Sequence, residues 1–350
     1  MRIRIKQSLK WLLGITKALI AIVKGQRGAS EHLLATWSFF IKSDYAFGKP
    51  VNVTIEPTNA CNLFCPVCET GAGVLSREKK TMTLDEFKII ADKIALFTNT
   101  LMLYFMGEPF LNNDLYEMVK YAKGKGISFI TACTNGTFID PEKIVGSGID
   151  EINFQLSGLT KDTHEIYRIG SDLNSIMDNL KNTIKVRNER MSKMRIVCGF
   201  ILMKQNEHQA GDVKRYMKQI GVDKTVMIDL CVRTLEQGRR FLPSNRNHWI
   251  YDPVSFEKGK LKPRISSKNG CSWMYYSVVI QVNGDVVPCC RDVNGDFIMG
   301  NILKQGFNDI WNGANFRNFR KKIHCKKNEV NICSLCSGYG LAQLKNNING

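Results

Sequence analysis

The chain has 350 residues, 44% of them hydrophobic and 23% charged, which is enough to bury a sizeable core and excludes disorder by composition. Its net charge of +17 is unevenly spread: residues 1–50 hold 9 basic and 2 acidic side chains, 51–230 hold 22 of each, and 231–350 hold 18 basic and 8 acidic. A neutral centre between two cationic ends argues against a protein that coats nucleic acid, and for anionic partners that meet the ends.

The N-terminal segment, residues 1–50, opens with an apolar run of 13 positions from Trp11 to Val23, broken by Lys17 and flanked by Lys10 and Lys24. This is short of the roughly 18–20 apolar residues that span a bilayer, and no small-x-small cleavage site follows it as in a signal peptide. Two readings stand: a helix packed on the body, and an amphipathic helix lying on an anionic membrane surface.

From residue 51 the pattern alternates. β-rich runs at Val51–Ile55, Leu101–Phe105, Ile127–Thr131, Glu151–Leu156, Arg195–Leu202 and Thr225–Cys231 are predicted strands. Between them lie predicted helices at Leu84–Phe97, Asp114–Gly124, Pro141–Val145, Leu173–Met191 and His208–Ile220. Thr83 and Glu86 form a capping box for the first, and its Phe87, Ile90, Ala91, Ile94 and Phe97 share one face. Six such repetitions imply an α/β fold with a curved parallel sheet and ligands at the carboxyl ends of its strands. Residues 233–269 are basic, carry three prolines and lack periodicity, which reads as a linker or wrap over 233–270, with Arg239, Arg240 and His248 on a solvated loop. Tyr275–Val282 and Asp285–Val287 around Asn283-Gly284 signal a hairpin with a type I′ turn. An amphipathic segment at Phe307–Ile323 follows, and residues 341–350 form a tail.

Twelve cysteines in a chain of this length do not make a secreted disulfide scaffold; three and six of them cluster, which reads as metal binding by reduced thiolates in a reducing compartment. Cys61, Cys65 and Cys68 follow the first strand, where an α/β sheet places its active-site loop. Three thiolates can grip a cubane iron–sulfur cluster and leave its fourth iron without a protein ligand, open for chemistry. A zinc site completed by a distant ligand is the competing reading. Cys133, Cys198 and Cys231, in or at the ends of strands, are expected to be buried apolar residues.

The Cys61-Asn-Leu-Phe-Cys65-Pro-Val-Cys68 run, with Phe64 before the middle cysteine, resembles the cluster motif of the radical S-adenosylmethionine (SAM) superfamily. The resemblance extends over residues 51–232. Gly107-Glu108-Pro109 looks like the family's Gly-Gly-Glu motif, with Met106 in place of the first glycine. Thr134-Asn135-Gly136 and Leu156-Ser157-Gly158 resemble patterns after the third and fourth strands, and Arg168 falls at a position commonly basic in the family. The resemblance implies a partial (β/α)6 TIM-like barrel, SAM bound at a [4Fe–4S] cluster, contacts to SAM from Glu108, Asn135, Ser157 and Arg168, and hydrogen abstraction by a 5′-deoxyadenosyl radical. Bland readings stay open: a helix cap for Glu108, turn residues for Asn135 and Ser157, a surface ion pair for Arg168.

Cys271, Cys289, Cys290, Cys325, Cys333 and Cys336 resemble the SPASM/twitch extensions of such enzymes, a small C-terminal hairpin and helix domain over residues 271–340. By that resemblance Cys271, Cys289, Cys333 and Cys336 would hold one auxiliary [4Fe–4S] cluster, with Cys290 and Cys325 as spares; four-thiolate zinc is the alternative. His324 is expected to be solvated. The implied function is an enzyme acting on a small anionic or membrane-associated substrate (sugar, nucleotide-sugar or lipid-linked glycan), with oxidation assisted by the auxiliary cluster. Peptide or protein maturation is the alternative, and a non-catalytic electron carrier a remote one. The expected partners are such a substrate and a reductant of the flavodoxin or ferredoxin kind, with no nucleic acid. The expected location is the cytoplasm, with the inner face of the membrane as a candidate contact. No acid or base residue is singled out.

Overall fold

The capping box forms as expected: Thr83 Oγ1 accepts from Glu86 N at 3.2 Å and Glu86 returns a bond to Thr83 N at 2.9 Å, starting a helix that buries Phe87, Ile90, Ala91 and Ile94. In the computed structural model, which describes residues 15–16, 19–265, 269–338 and 342–345, such helices alternate with strands. In chain order the elements are α1 (Ala29–Phe40), β1 (Asn52–Ile55), α2 (Leu84–Ile94), β2 (Thr100–Leu103), α3 (Leu115–Gly124), β3 (Phe129–Thr134), α4 (Pro141–Gly146), β4 (Glu151–Leu156), α5 (Lys161–His164), α6 (Leu173–Glu189), β5 (Arg195–Leu202), α7 (Ala210–Gln219) and β6 (Lys224–Asp229). There follow α8 (Leu235–Phe241), α9 (Pro253–Glu257), α10 (Trp273–Tyr276), β7 (Ser277–Ile280), β8 (Asp285–Val287), β9 (Gly300–Asn301), α11 (Phe307–Trp311) and α12 (Ala314–Lys326).

One sheet runs β6-β5-β4-β3-β2-β1-β7-β8-β9, with the first six strands parallel and in sequential order. This is the open (β/α)6 barrel. Side chains alternate across it with period two: Leu101, Leu103, Ile130, Ala132, Ile152 and Phe154 join the core beneath the helices, whereas Thr54, Met102, Thr131, Cys133, Asn153 and Gln155 line the other, concave side. There Thr54 Oγ1 reaches Met102 Sδ at 4.0 Å and Gln155 Nε2 donates to Asn153 at 2.8 Å.

The hairpin is not a free-standing unit, because β7 pairs parallel with β1, Asn52 opposite Ser277 through Ile55 opposite Ile280. Its turn also differs from expectation. Gln281 N donates to Asp285 O at 2.8 Å and only Gly284 is left-handed (φ 85°), so a three-residue loop closes the hairpin rather than a type I′ pair. Asn283 instead accepts from Asp285 N at 3.2 Å through its side chain. The amphipathic segment after it splits into α11 and α12 at Asn312-Gly313.

Two further expectations are revised. Of the linker or wrap expected over 233–270, the described residues form the wrap: α8 and α9 are present, and Phe241, Leu242 and Tyr251 are buried in a second apolar cluster with Leu63, Cys65, Val67 and Tyr167. Arg239 and Arg240 are exposed as expected, and His248 sits 3.4 Å from Asp229. The tail is docked where it is described: Lys345 N donates to Asn99 Oδ1 at 2.8 Å, Lys345 O accepts from Asn99 and Gln26 at 3.0 and 2.8 Å, and the His32 ring meets Ala342 O at 2.8 Å. At the other terminus, residues 11–14, 17 and 18 of the apolar run lie outside the described residues; 19–23 are helical with Leu19, Ile20, Ile22 and Val23 exposed.

Candidate active site

The loop leaving β1 carries Cys61, Cys65 and Cys68, with Cys65 buried and the other two partly so. It is tightly wound: Cys68 N donates to Cys65 O at 3.1 Å, Cys61 Sγ accepts from Leu63 N at 3.4 Å, and a side chain on Gly71 would overlap the Cys65 backbone. Burial pushes the Cys61 thiol up to about 11, with Glu108, Cys65 and Cys68 adding to it. Burial also raises the Cys65 thiol, opposed by the hydrogen-bonding guanidinium of Arg168. Three clustered thiols beside one cation are a donor set that a cationic iron–sulfur core would complete.

Glu108 stands against this loop. Its N–H donates to Ala60 O at 2.8 Å, and Gly107 permits the approach, because a side chain there would overlap the carbonyls of Thr58 and Ala60. The carboxylate is buried and accepts from Thr134 Oγ1 at 2.7 Å, Asn135 N at 2.7 Å and Phe110 N at 3.3 Å. It therefore does cap the turn at Pro109–Leu111, yet three donors leave a carboxylate room for a fourth. Burial raises its pKa against those donors and Arg168.

The other expected contacts divide. Arg168 reaches the site, against Cys65 and near Glu108, and its buried Nε has no protein partner among the described residues. Asn135 is committed: its side chain donates to Asn62 at 2.8 Å and accepts from Thr137 N at 2.9 Å, tying the β3 exit to the cysteine loop. Ser157 is fully buried, with Oγ donating to His164 O at 3.1 Å and its carbonyl held by Asn206 at 2.9 Å. Asn135 thus ties two loops through its side chain, and Ser157 is fixed by its hydroxyl and carbonyl.

The auxiliary cysteines converge around Cys271, which is an electrostatic neighbour of Cys289, Cys333 and Cys336. Arg291 N and Gly338 N donate to Cys289 and Cys336 Sγ at 3.4 and 3.3 Å, and buried Lys327 lowers Cys271 and Cys333 against the burial that drives Cys333 to about 12. The four thiols are neighbours, but among the described residues no three cysteine, histidine or carboxylate side chains are gathered as a mononuclear metal site would need. Cys325 is exposed near the end of α12. His324 is half-buried rather than solvated; its Nε2 lies 2.7 Å from the Tyr275 hydroxyl.

Sequence reasoning missed four features. Cys133 is no apolar filler: it lies on the concave side, hydrogen-bonded to Tyr104, with burial driving its thiol to about 12. Tyr104 also neighbours Cys290. The alternation that puts Met102 inward also puts Tyr104 inward, so the signal was present. Cys231 is exposed, 3.6 Å from an Arg291 nitrogen, whereas Cys198 is buried as expected. Arg233 clamps the cysteine loop through an ion pair with Glu69 and a 2.8 Å bond to Val67 O. Finally, Glu56 at the end of β1 is fully buried and bidentate to Arg77 at 2.6 and 2.7 Å.

The radical SAM superfamily model matches residues 55–210, and the SPASM iron–sulfur cluster-binding domain model matches 271–337, so the two together cover more than half of the chain. The chain is a radical SAM enzyme with a SPASM domain. A radical SAM enzyme of this kind uses SAM at a [4Fe–4S] cluster and carries auxiliary iron–sulfur binding. It is 25% identical over 303 residues to the tungsten-containing aldehyde ferredoxin oxidoreductase cofactor-modifying protein of Pyrococcus furiosus, covering 76% of this chain and 82% of that one. It is 23% identical over 305 residues to the mycofactocin maturase MftC of Mycolicibacterium smegmatis, covering 78% and 73%. To an AdoMet-dependent heme synthase of Methanosarcina barkeri it is 30% identical over 122 residues, only 34% of either chain. Among solved structures, Streptococcus suis SuiB bound to S-adenosylmethionine matches with a TM-score of 0.61 at 15% identity, covering 88% of this chain and 76% of that one. BtrN in complex with AdoMet and 2-DOIA gives 0.52 at 19% identity, covering 85% and 97%. These likenesses show the radical SAM fold.

Proposed function

We propose that this radical SAM enzyme oxidises a small anionic or membrane-associated substrate, of the sugar, nucleotide-sugar or lipid-linked glycan class. In this reading Cys61, Cys65 and Cys68 hold the SAM-binding cluster, Glu108 and Arg168 meet SAM, and Asn135 and Ser157 set their placement. Cys271, Cys289, Cys333 and Cys336 hold one auxiliary [4Fe–4S] cluster. When bound, the cofactors supply a hydrogen-abstracting 5′-deoxyadenosyl radical and an electron acceptor. The observation that carries the reading is the polar concave side, which runs from Glu108 and Arg168 past Cys133 and Tyr104 to Cys290, next to Cys289. A substrate there lies between the two thiol groups, and Asn153, Gln155 and Thr131 suit hydroxyl-bearing ligands. The partners are the substrate, a flavodoxin- or ferredoxin-type reductant, and the inner face of a membrane met through the N-terminal segment. Peptide maturation is the second reading, favoured by the extent of the match to a mycofactocin maturase.

Anaerobic reconstitution should give about eight irons per chain, four for each cluster, and dithionite should start release of 5′-deoxyadenosine from SAM. Ala at Cys61, Cys65 or Cys68 should abolish that release; Ala at Cys271 or Cys333 should spare it while the iron content falls by about half. Release that survives the first three changes sinks the cluster assignment. Nucleotide-sugars or polyprenyl-linked glycans should stimulate release several-fold, and stimulation by peptides alone would replace the first reading with the second.

A further inference from the structure

We propose that the outward side of α1, with the exposed cationic side chains of α12 beside it, is a docking surface for an anionic lipid bilayer. This rests on the membrane contact proposed above, deepens it to named side chains, and stands apart from the chemistry of the barrel. Helix α1 is built inside out for a surface helix. Its small and polar side chains are the buried ones: Ala29, His32, Ala35, Thr36 and Ser38. Thr36 Oγ1 accepts from the Tyr276 hydroxyl at 2.8 Å, and the His32 ring lies 5.0 Å from that of Tyr276. Phe39 packs against the core, but Leu34, Trp37 and the C-cap Ile41, spaced i, i+3 and i+7, face outward at 42, 56 and 48% exposed. A helix bordering water shows the reverse arrangement. Exposed hydrophobics scattered singly need no explanation, but here 10 of the 21 large ones among the described residues fall between 19 and 47.

Charge selects the occupant. Helix α12 abuts the C-terminal end of α1: Arg317 and Lys321 both reach Asp44, at 3.1 and 3.2 Å, and Arg320 donates to the Asp44 carbonyl at 3.1 Å. Two exposed cations thus share one carboxylate, with Lys322 and Lys42 exposed alongside. The fold sets Lys42, from the first basic stretch of the sequence, near α12, from the second, beside an apolar stripe. A second copy of the chain meeting this face would oppose one cationic rim to another, whereas anionic headgroups neutralise it. Trp37 and Tyr45, each with an apolar body and a polar tip, are the side chains that settle at a membrane–water boundary.

The test is flotation of the full-length, cluster-loaded protein with phosphatidylcholine vesicles, with and without phosphatidylglycerol. Wild type should float with the anionic vesicles and not with neutral ones. Binding should fall about tenfold in Trp37→Glu/Ile41→Glu and in Lys321→Glu/Lys322→Glu, with 5′-deoxyadenosine release unchanged. Quenching of tryptophan fluorescence by brominated anionic lipid should shrink in Trp37→Phe, which keeps the face apolar. If wild type does not float, the membrane contact itself falls. If wild type floats and both face variants float equally well, the contact stands and this face is wrong. If Trp37→Glu/Ile41→Glu converts a dimer to a monomer without vesicles, the occupant is a second copy and the proposal is overturned.

Discussion

His164 shows how a single side chain can be tuned by the site it supports. It is fully buried behind Ser157, and its Nδ1 accepts the Ser157 N–H at 3.3 Å. Burial, followed by the charge of Arg168, lowers its pKa from 6.5 to about 3. The neutral ring is therefore the folded form, and the unfolded chain takes up a proton first as the pH falls. Stability from this residue is fully present above about pH 6.5 and is lost progressively as the pH falls toward 3. Chemical denaturation of the cluster-free protein across that window should show unfolding free energy declining by up to several kcal/mol. His164→Gln should flatten the decline. An unchanged slope in the variant would assign the acid sensitivity to other groups. At this scale the sequence was informative wherever the chemistry is local. The cysteine spacing, Gly107-Glu108 and Arg168 all mark residues that meet at the site. What could not be read was commitment: Asn135 and Ser157 lie where expected, but their side chains are taken by Asn62, Thr137 and His164. Those partners are 73, 2 and 7 residues away, and the longest of these ties exists only once the barrel closes around it.

Between elements, Glu56 is the joint. Its oxygens accept from Arg77, from Met106 N at 3.3 Å and from Val282 N at 3.0 Å, so one carboxylate holds the ends of β1, β2 and β7. Arg77 adds a 2.7 Å bond to Val293 O, and the next residue back, Ser76, donates to Asn294 at 3.1 Å. The loop after Cys61, Cys65 and Cys68 is thereby fastened to the loop after Cys289 and Cys290. Removing one partner of a buried pair strands the other charge, at about 3–5 kcal/mol. Arg77→Met should lower unfolding stability by about that amount, and adding Glu56→Gln should restore part of it. Full additivity of the two changes would show that the pair is not coupled. Elements with long periodic patterns, such as α2, α6 and β5, were legible from the sequence. Helices α8 and α9 were not, because their few turns carry too little periodicity, and what orders them is burial of Phe241 and Tyr251 against the cysteine loop.

Across the whole molecule, the C-terminal residues that read as a tail bind the far end of the barrel. Besides its backbone bonds to Asn99 and Gln26, Lys345 extends its ammonium 3.9 Å from the Phe129 ring centre and 3.7 Å from Glu151. Burial lowers its pKa, with Glu151 opposing. Ending the chain after Gly338 should cost about 1 kcal/mol for each backbone bond lost and lower the melting temperature by a few degrees. An unchanged melting temperature would show that these contacts are decoration. The same wiring bears on biosynthesis. The outer edge of β1 finds its neighbour only when residues 277–280 emerge, more than two hundred residues after β1 itself has left the ribosome. Until then the growing barrel displays a bare parallel edge, a template for unwanted pairing with other nascent chains. The SPASM hairpin is thus also the barrel's last stave, and a ribosome that stalls before it releases a chain prone to aggregate even though Cys61, Cys65 and Cys68 have already been made.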